Sequence, residues 1–174
     1  MNNVRKIILT RGIQGSGKSF FARNWVLEDP EHRVRFNNDD IRNMLGKYWV
    51  PSREGLIKSM KENFLGYSMS KGYDIIIDNM NLNPKEVKYF QDIIDSRNKA
   101  TLDIPNNAKI ETLEGNVVNK DSLYLYELEF KDFKTPLEVC IERDSKRKNP
   151  IGAGIITSTY NRYKNFYEEE SDNC

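Results

Sequence analysis

The sequence is poor in the residues from which disulfide frameworks, zinc sites and catalytic triads are built. Only two of its 174 residues are cysteines, Cys140 and Cys174, and they are isolated from one another. No disulfide framework or zinc-binding spacing is present, and a reduced cytoplasm suits both thiols. The single histidine, His32, follows a predicted turn and is expected to be an ordinary surface residue. We therefore expect a cytoplasmic protein.

Long apolar runs and an excess of one charge are also missing. No stretch approaches the ~18 apolar residues of a membrane span, and no apolar leader precedes the first predicted strand. A soluble protein without a membrane partner is therefore expected. The 27 Lys and Arg residues nearly balance the 26 Asp and Glu residues, which gives a formal net charge of +1. This balance gives no indication that long nucleic acids are bound by bulk charge, so any polyanion is expected to be bound locally.

The most informative segment is the glycine-rich stretch 12–19, which reads Gly-Ile-Gln-Gly-Ser-Gly-Lys-Ser. It follows an apolar strand pattern at 6–10 and precedes a helical pattern, as a phosphate-binding loop (P-loop) does. In such a loop the backbone N–H groups surround phosphates, the lysine reaches the β- and γ-phosphates and the last hydroxyl binds Mg²⁺. ATP and Mg²⁺ are the expected cofactors, with Ser19 as the metal ligand; a glycine turn without nucleotide is the alternative. The predicted nucleotide-binding residues of the loop are Gly12, Gly15, Ser16, Gly17, Lys18 and Ser19.

Predicted strands and helices alternate along most of the chain. This order predicts an α/β fold, with a P-loop NTPase-type parallel sheet flanked by helices and the active site at the carboxyl ends of the strands. A turn-rich insert at about 100–120 predicts a β-hairpin near residues 100–122. Later strands are predicted at 33–37, 74–78 and 123–130, and later helices at 40–45, 52–71, 85–98, 136–146 and 156–168.

Acidic and basic residues follow the predicted strands at this edge of the sheet. Asp39 and Arg42 are three residues apart at the start of a helix, so they share one face of it. Asp78 ends a fully apolar strand, where it is placed to support Mg²⁺ or to brace a neighbouring arginine. Each residue also has a purely structural alternative, which is an exposed ion pair for Asp39 and Arg42 and a turn cap for Asp78.

Two arginines near a glycine- and proline-containing break predict a lid over the phosphates. Arg143 and Arg147 are four residues apart, which would place them on one helical face within a lid at about 143–154. Phosphoryl transfer depends on charge stabilisation more than on covalent help, so such arginines are expected in a phosphotransferase. Solvated cations at a helix C-terminus are the alternative.

Aromatic and basic residues follow the Asp39 helix. They are Lys47, Tyr48, Trp49 and Arg53. Stacking on a nucleic-acid end is one interpretation of the two aromatic residues, and packing in a core or lid is the other, which we favour from the sequence alone.

Four short motifs occur in a fixed order. They read Gly-Ile-Gln-Gly-Ser-Gly-Lys-Ser at 12–19, Asn-Asn-Asp-Asp-Ile-Arg at 37–42, Ile-Asp-Asn-Met-Asn-Leu-Asn-Pro at 77–84 and Glu-Arg-Asp-Ser-Lys-Arg at 142–147. Together they resemble the kinase domain of phage-type polynucleotide 5′-hydroxyl kinases, across roughly residues 6–167. The resemblance implies one P-loop kinase domain, residues 1–174, which transfers the γ-phosphate of ATP to the 5′-OH end of DNA or RNA in nucleic-acid end repair.

The resemblance also implies roles for individual residues. Asp39 would be the general base on the 5′-hydroxyl, Arg42 would bind a phosphate of the acceptor strand and Asp78 would orient Arg42. Arg143 and Arg147 would engage the ATP phosphates. The predicted catalytic residues are Lys18, Asp39, Arg42 and Arg147, and the predicted substrate-binding residues are Asp39, Arg42 and Asp78.

The sequence departs from the family in two respects. It lacks the Asp-x-Asp-Gly-Thr motif of the phosphatase domain into which the best-known phage member continues, so 3′-phosphatase activity is not expected. The insert at about 100–120 has no counterpart in the family; covering a sheet edge, contacting substrate and forming a homo-oligomer interface are its open roles. A small-molecule P-loop kinase and a non-catalytic, nucleotide-gated binding module are the alternative functions, and the sequence does not distinguish DNA from RNA.

Overall fold

A computed structural model describes residues 3–112 and 114–168, and its centre is a parallel sheet. Central strand β1 (Asn3–Arg11) pairs with β3 (Asp74–Ile77) on one side and with β6 (Tyr124–Asp132) on the other, and β2 (Arg33–Phe36) lies beyond β3. The predicted α/β fold with a parallel sheet is therefore confirmed.

Helices connect and flank the strands. The helices are α1 (Lys18–Glu28), α2 (Asn38–Met44), α3 (Glu54–Ser70), α4 (Pro84–Leu102), α5 (Leu137–Ser145), α6 (Ala153–Arg162) and α7 (Lys164–Glu168). Two bounds differ clearly from the sequence pattern, because α4 continues past residue 98 and the last predicted helix is divided at Tyr163. Within the described residues, no helix combines the length and the apolar character needed to cross a membrane.

The core consists of three apolar clusters. Because side chains alternate along a strand, Ile7 and Leu9 of β1 pack on one face of the sheet with α3 and α4, whereas Ile8 packs on the other with α1. The third cluster joins Ile13 of the glycine-rich loop to Cys140 of α5 and to side chains of α6 and α7. The loop is thereby packed between the sheet and the C-terminal helices.

The insert contains the predicted β-hairpin. Its antiparallel strands are β4 (Lys109–Glu111) and β5 (Val117–Asn119). Lys120, directly after β5, donates through Nζ to the carbonyls of Leu102 and Ile104 at 2.7 and 2.6 Å. These bonds satisfy carbonyls at the end of α4 and attach the hairpin to the rest of the fold.

Candidate active site

The P-loop follows β1 at the carboxyl end of the sheet. Buried Thr10, near the end of β1, donates through Oγ1 to the carbonyls of Ile77 and Asn79 at 3.2 and 3.1 Å, which ties β1 to the end of β3. Gly15 has a φ of +81°, and a Cβ at this position would lie 2.3 Å from the carbonyl oxygen of Cys140. The loop conformation therefore depends on glycine here.

Two contacts from the C-terminal half of the chain support the loop from outside. The backbone N–H of Ile13 donates to the hydroxyl of Tyr167 in α7 at 2.9 Å, and Thr135 Oγ1 donates to the carbonyl of Ser16 at 2.9 Å. The P-loop is therefore held before any ligand is bound.

A cavity of about 250 Å³ opens above the P-loop. Most of the predicted site residues line it: Gly15, Gly17, Lys18, Ser19, Asp39, Asp78, Arg143 and Arg147. Gly12 and Ser16 are buried in the loop, and Arg42 does not line the cavity but bonds to Asp39, which does. Residues from four separate parts of the sequence thus meet at one edge of the sheet.

Lys18 lies folded back against its own loop. Its Nζ donates to the carbonyl of Ile13 at 2.7 Å and to Ser16 Oγ at 3.3 Å. Burial of the ammonium group lowers the pKa of Lys18 to about 8, because the charged form is poorly solvated and the nearby Asp78 charge compensates only in part. Phosphate oxygens entering the cavity would supply the missing negative charge.

Asp78 joins the P-loop to β2. Its side chain is 1% exposed; Oδ1 accepts from Ser19 Oγ at 3.1 Å, and Oδ2 accepts from Nε and Nη2 of Arg35 at 2.8 and 2.5 Å. The expectation that Asp78 orients Arg42 is therefore wrong, because the arginine that is hydrogen-bonded to Asp78 is Arg35. Arg35 lies opposite Ile76 of β3 in the sheet register, so its side chain starts two residues from Asp78. Arg42 is farther along α2 and bonds elsewhere.

Asp39 and Arg42 form a pair at the mouth of the cavity, as their spacing predicts. Arg42 Nη1 donates to Asp39 Oδ1 at 2.8 Å, and its Nε and Nη2 donate to the two carboxylate oxygens of Glu54 at 3.1 and 2.7 Å. The bonds to Glu54 raise the pKa of Arg42 and lower that of Glu54. Tyr48 donates its hydroxyl to Asp39 Oδ1 at 2.9 Å, and burial together with the Asp39 charge raises the pKa of Tyr48. Two donors thus hold the Asp39 carboxylate, both through Oδ1.

Arg143 and Arg147 both line the cavity, but they do not share one helical face. Arg143 belongs to α5 and places Nη1 3.5 Å from the carbonyl oxygens of Gly15 and Ser16. Arg147 lies beyond the end of α5, which corrects the prediction of a shared helical face. The turn is fixed by buried Asp144, whose Oδ2 accepts two backbone N–H groups of the segment 151–152 at 2.9 Å, while Arg147 Nη1 lies 3.7 Å from its Oδ1.

The donor set at the P-loop fits Mg²⁺ bound together with a nucleotide. Ser19 Oγ and Asp78 Oδ1 are neighbouring hard oxygen atoms on the cavity wall. Across residues 3–112 and 114–168, no cluster of three or more His, Cys, Asp or Glu side chains could hold a metal without other ligands. Magnesium commonly uses one or two protein oxygens and completes its octahedron with water and phosphate, which this wall permits.

Sequence patterns missed four residues that position the site. Arg35, Glu54, Asp144 and Tyr167 each act through a partner distant in the chain or through backbone groups. Strand alternation gave the only available signal for Arg35, since it predicts that residues 33 and 35 share a face. The other three contacts depend on tertiary packing.

Comparison with known proteins identifies the fold. Two chains from structures of the Pnkp1/Rnl/Hen1 RNA repair complex align with 97% and 88% of this chain, at TM-scores of 0.66 and 0.55 and identities of 23% and 24%. The chain spans about half of each of them, 47% and 46%. A gluconokinase from Sinorhizobium meliloti 1021 aligns with 99% of this chain and 80% of its own, at 13% identity and a TM-score of 0.49.

The family model of the AAA domain matches residues 7–169. The match runs from β1 through the P-loop, Arg143 and Arg147 to the C-terminal helices. The P-loop domain predicted from the sequence is thereby confirmed, and the chain belongs to the AAA domain family of P-loop proteins.

Proposed function

We propose that the chain is an ATP-dependent polynucleotide 5′-hydroxyl kinase, which transfers the γ-phosphate of ATP to the 5′-OH end of DNA or RNA for nucleic-acid end repair. The observation that carries the proposal is the position of Asp39. Its carboxylate lines the same cavity as Lys18 and Ser19 of the P-loop and is fixed by Arg42 and Tyr48. Similarity to chains of an RNA repair complex supports this choice among the substrates of P-loop kinases.

On the donor side, the loop N–H groups and Lys18 bind the ATP phosphates. Lys18 exchanges its contacts with the loop oxygens for contacts with the β- and γ-phosphates. Ser19 and Asp78 would hold Mg²⁺, which when bound neutralises phosphate charge and orients the γ-phosphoryl group. Arg35 holds Asp78 in place for that task.

On the acceptor side, Asp39 orients the attacking hydroxyl. A carboxylate is too weak a base to remove an alcohol proton before the new bond forms, so Asp39 accepts the proton late, as the 5′-oxygen bonds to phosphorus. Arg42, which already bonds to Asp39, lies where a phosphate of the acceptor strand would come close to the reacting end. To bind that phosphate directly, its guanidinium must exchange a carboxylate partner for it.

The lid arginines stabilise the transferred group. Charge accumulates on the oxygens of the γ-phosphoryl group in a loose transition state, and cations placed there lower the barrier. Arg143 and Arg147 line the same cavity as Asp39 and Lys18 and are suited to this role.

The test is transfer of labelled γ-phosphate from ATP to matched single-stranded DNA and RNA oligomers. Oligomers with a 5′-hydroxyl should become labelled, and the same oligomers with a 5′-phosphate should not. The Asp39→Asn variant should bind ATP but should label neither the DNA nor the RNA oligomer with a 5′-hydroxyl. Labelling of small alcohols alone would replace the proposal with a small-molecule kinase, and ATP binding without transfer to any acceptor would indicate a nucleotide-gated binding module.

A further inference from the structure

Two aromatic side chains next to Asp39 are exposed. Tyr48 and Trp49, together called the aromatic platform, are 49% and 55% exposed. They lie in the segment between α2 and α3 and belong to none of the three hydrophobic clusters. The sequence favoured packing in a core or a lid, and packing in a core is therefore not their role. Exposed tryptophan and tyrosine side chains beside a binding cavity commonly mark a recognition surface.

The aromatic platform is continuous with the proposed acceptor site. The Arg42 guanidinium carbon lies 5.9 Å from the ring centre of Tyr48 and 5.5 Å from that of Trp49, in cation–π geometry. The same guanidinium bonds to Asp39, as does the Tyr48 hydroxyl. Arg42 therefore fixes the orientation of the indole relative to the proposed base.

The charges around the platform suit a nucleic-acid strand. Lys47 and Arg53 flank the aromatic pair in sequence, and neither forms an ion pair in the part of the chain that the structure describes. Arg53 instead donates to the carbonyl of Leu45 at 2.8 Å, which stabilises the loop that carries the aromatic residues. Flat rings with unpaired cations beside them are the usual elements of single-strand binding, where rings stack on bases and cations contact phosphates.

We infer that the aromatic platform stacks the terminal nucleobase of the acceptor strand, with Trp49 as its main surface. This inference rests on the proposed function and names the preferred class of acceptor. A base in a single strand or a 5′ overhang is free to stack on the indole. A base at a recessed 5′ end is already stacked between its neighbours, so single-stranded and overhanging ends are the favoured acceptors.

The test combines one protein change with one substrate change. The kcat/KM of the wild type and of Trp49→Ala is measured with a single-stranded 5′-hydroxyl oligomer and with the same oligomer carrying an abasic 5′-terminal nucleotide. Removing either the indole of Trp49 or the 5′-terminal base should reduce kcat/KM about tenfold, mainly by raising KM, as expected when one base–aromatic stack is lost. Trp49→Ala acting on the abasic oligomer lacks both the indole and the base, and its kcat/KM should be reduced no further than by either change alone.

Control variants separate stacking from folding. Trp49→Phe keeps a ring and should retain most of the activity, and Trp49→Ala should bind ATP as tightly as the wild type does. Wild-type enzyme should also prefer a 5′ overhang to a recessed end, and Trp49→Ala should lose that preference. The inference would be overturned if Trp49→Ala reduced kcat/KM equally for the normal and the abasic oligomer. It would also be overturned if the variant reduced kcat/KM for neither.

The inference and the proposed function fail in distinguishable ways. If the wild type phosphorylates no oligomer, the proposed function is wrong, and the platform is then tested by binding. Trp25, the second tryptophan, lies on α1 with Arg33 over its ring, so Trp25→Phe leaves Trp49 as the sole tryptophan. Fluorescence quenching by the normal oligomer but not by the abasic one supports stacking; equal or absent quenching contradicts it.

Discussion

Arg35 and Asp78 form an ion pair at the edge of the sheet. Both Nε and Nη2 of Arg35 donate to Oδ2 of Asp78, and Oδ1 of Asp78 accepts a hydrogen bond from Ser19 of the P-loop. The side chains are 15% and 1% exposed. A carboxylate this deeply buried needs a counter-charge, so Arg35 supplies that charge and orients the group that faces the proposed metal position.

Replacing Arg35 by glutamine should destabilise the protein by about 3–5 kcal/mol, because it leaves Asp78 buried without its cation. The measurement is the urea midpoint at neutral pH. Arg33→Gln is the matched control on the same strand, since Arg33 pairs with Glu28, which is mostly exposed. It should cost less than about 1 kcal/mol. Equal midpoints for the two variants would show that Asp78 does not depend on Arg35.

Replacing Asp39 by asparagine should lower kcat by about 10²–10⁴-fold, the range for loss of a general base, without weakening ATP binding. The neighbouring carboxylate gives a matched control. Asp40 accepts from Arg35 at 2.5 Å and does not line the cavity, so Asp40→Asn should keep kcat within about threefold. Measurements are phosphate transfer to a 5′-hydroxyl oligomer and ATP titration. Near-normal turnover by Asp39→Asn would remove the general base from the mechanism.

Local sequence patterns predicted the elements of this fold and most of the cavity lining. The glycine pattern, the apolar strands and the alternation with helices are set by neighbouring residues, so they can be read from short windows. The Arg35–Asp78 pair requires knowing that β2 lies beside β3 and in which register. Likewise, α5 ends before Arg147 because Asp144 binds backbone groups of the segment 151–152, a contact that helical spacing does not encode.

Replacing Arg147 by alanine should lower kcat by about 10³-fold, as expected for an arginine that stabilises the transferred phosphoryl group. The neighbouring Lys146 pairs with Glu142 on the exposed side of α5, so Lys146→Ala is the control and should change kcat less than threefold. Steady-state kinetics with saturating ATP and acceptor separates the effect on turnover from effects on binding. A loss below tenfold in Arg147→Ala would place this arginine outside the catalytic machinery.

Replacing Gly15 by alanine should abolish ATP binding and lower Tm, because the new methyl group would meet the carbonyl of Cys140 at 2.3 Å in a backbone conformation that suits glycine. Gly66, within α3, is the control: a Cβ there meets nothing within 4 Å. Gly66→Ala should therefore stabilise the protein by about 0.5–1 kcal/mol through helix propensity. Unchanged ATP affinity in Gly15→Ala would mean that the loop accommodates the side chain.

ATP binding should take up protons at alkaline pH, because the pKa of Lys18 is about 8 in the free protein. Phosphates beside Nζ favour the charged form and raise this pKa in the complex. Near pH 8 about half of the free molecules must gain a proton on binding, so uptake approaches half a proton per ATP and grows as pH rises further. Below pH 7 Lys18 is protonated in both states, and the uptake from this group vanishes.

The measurement is calorimetric titration with ATP at pH 7 to 9 in buffers of different ionisation enthalpy, which gives the number of protons bound. Affinity should fall as pH rises above 8, by at most tenfold per pH unit, since one proton is involved. AMP is the control ligand, because it lacks the β- and γ-phosphates that Lys18 contacts and should bind with little proton uptake. Equal uptake for ATP and AMP, or none for either at pH 8 to 9, would show that Lys18 does not change its charge when the phosphates arrive.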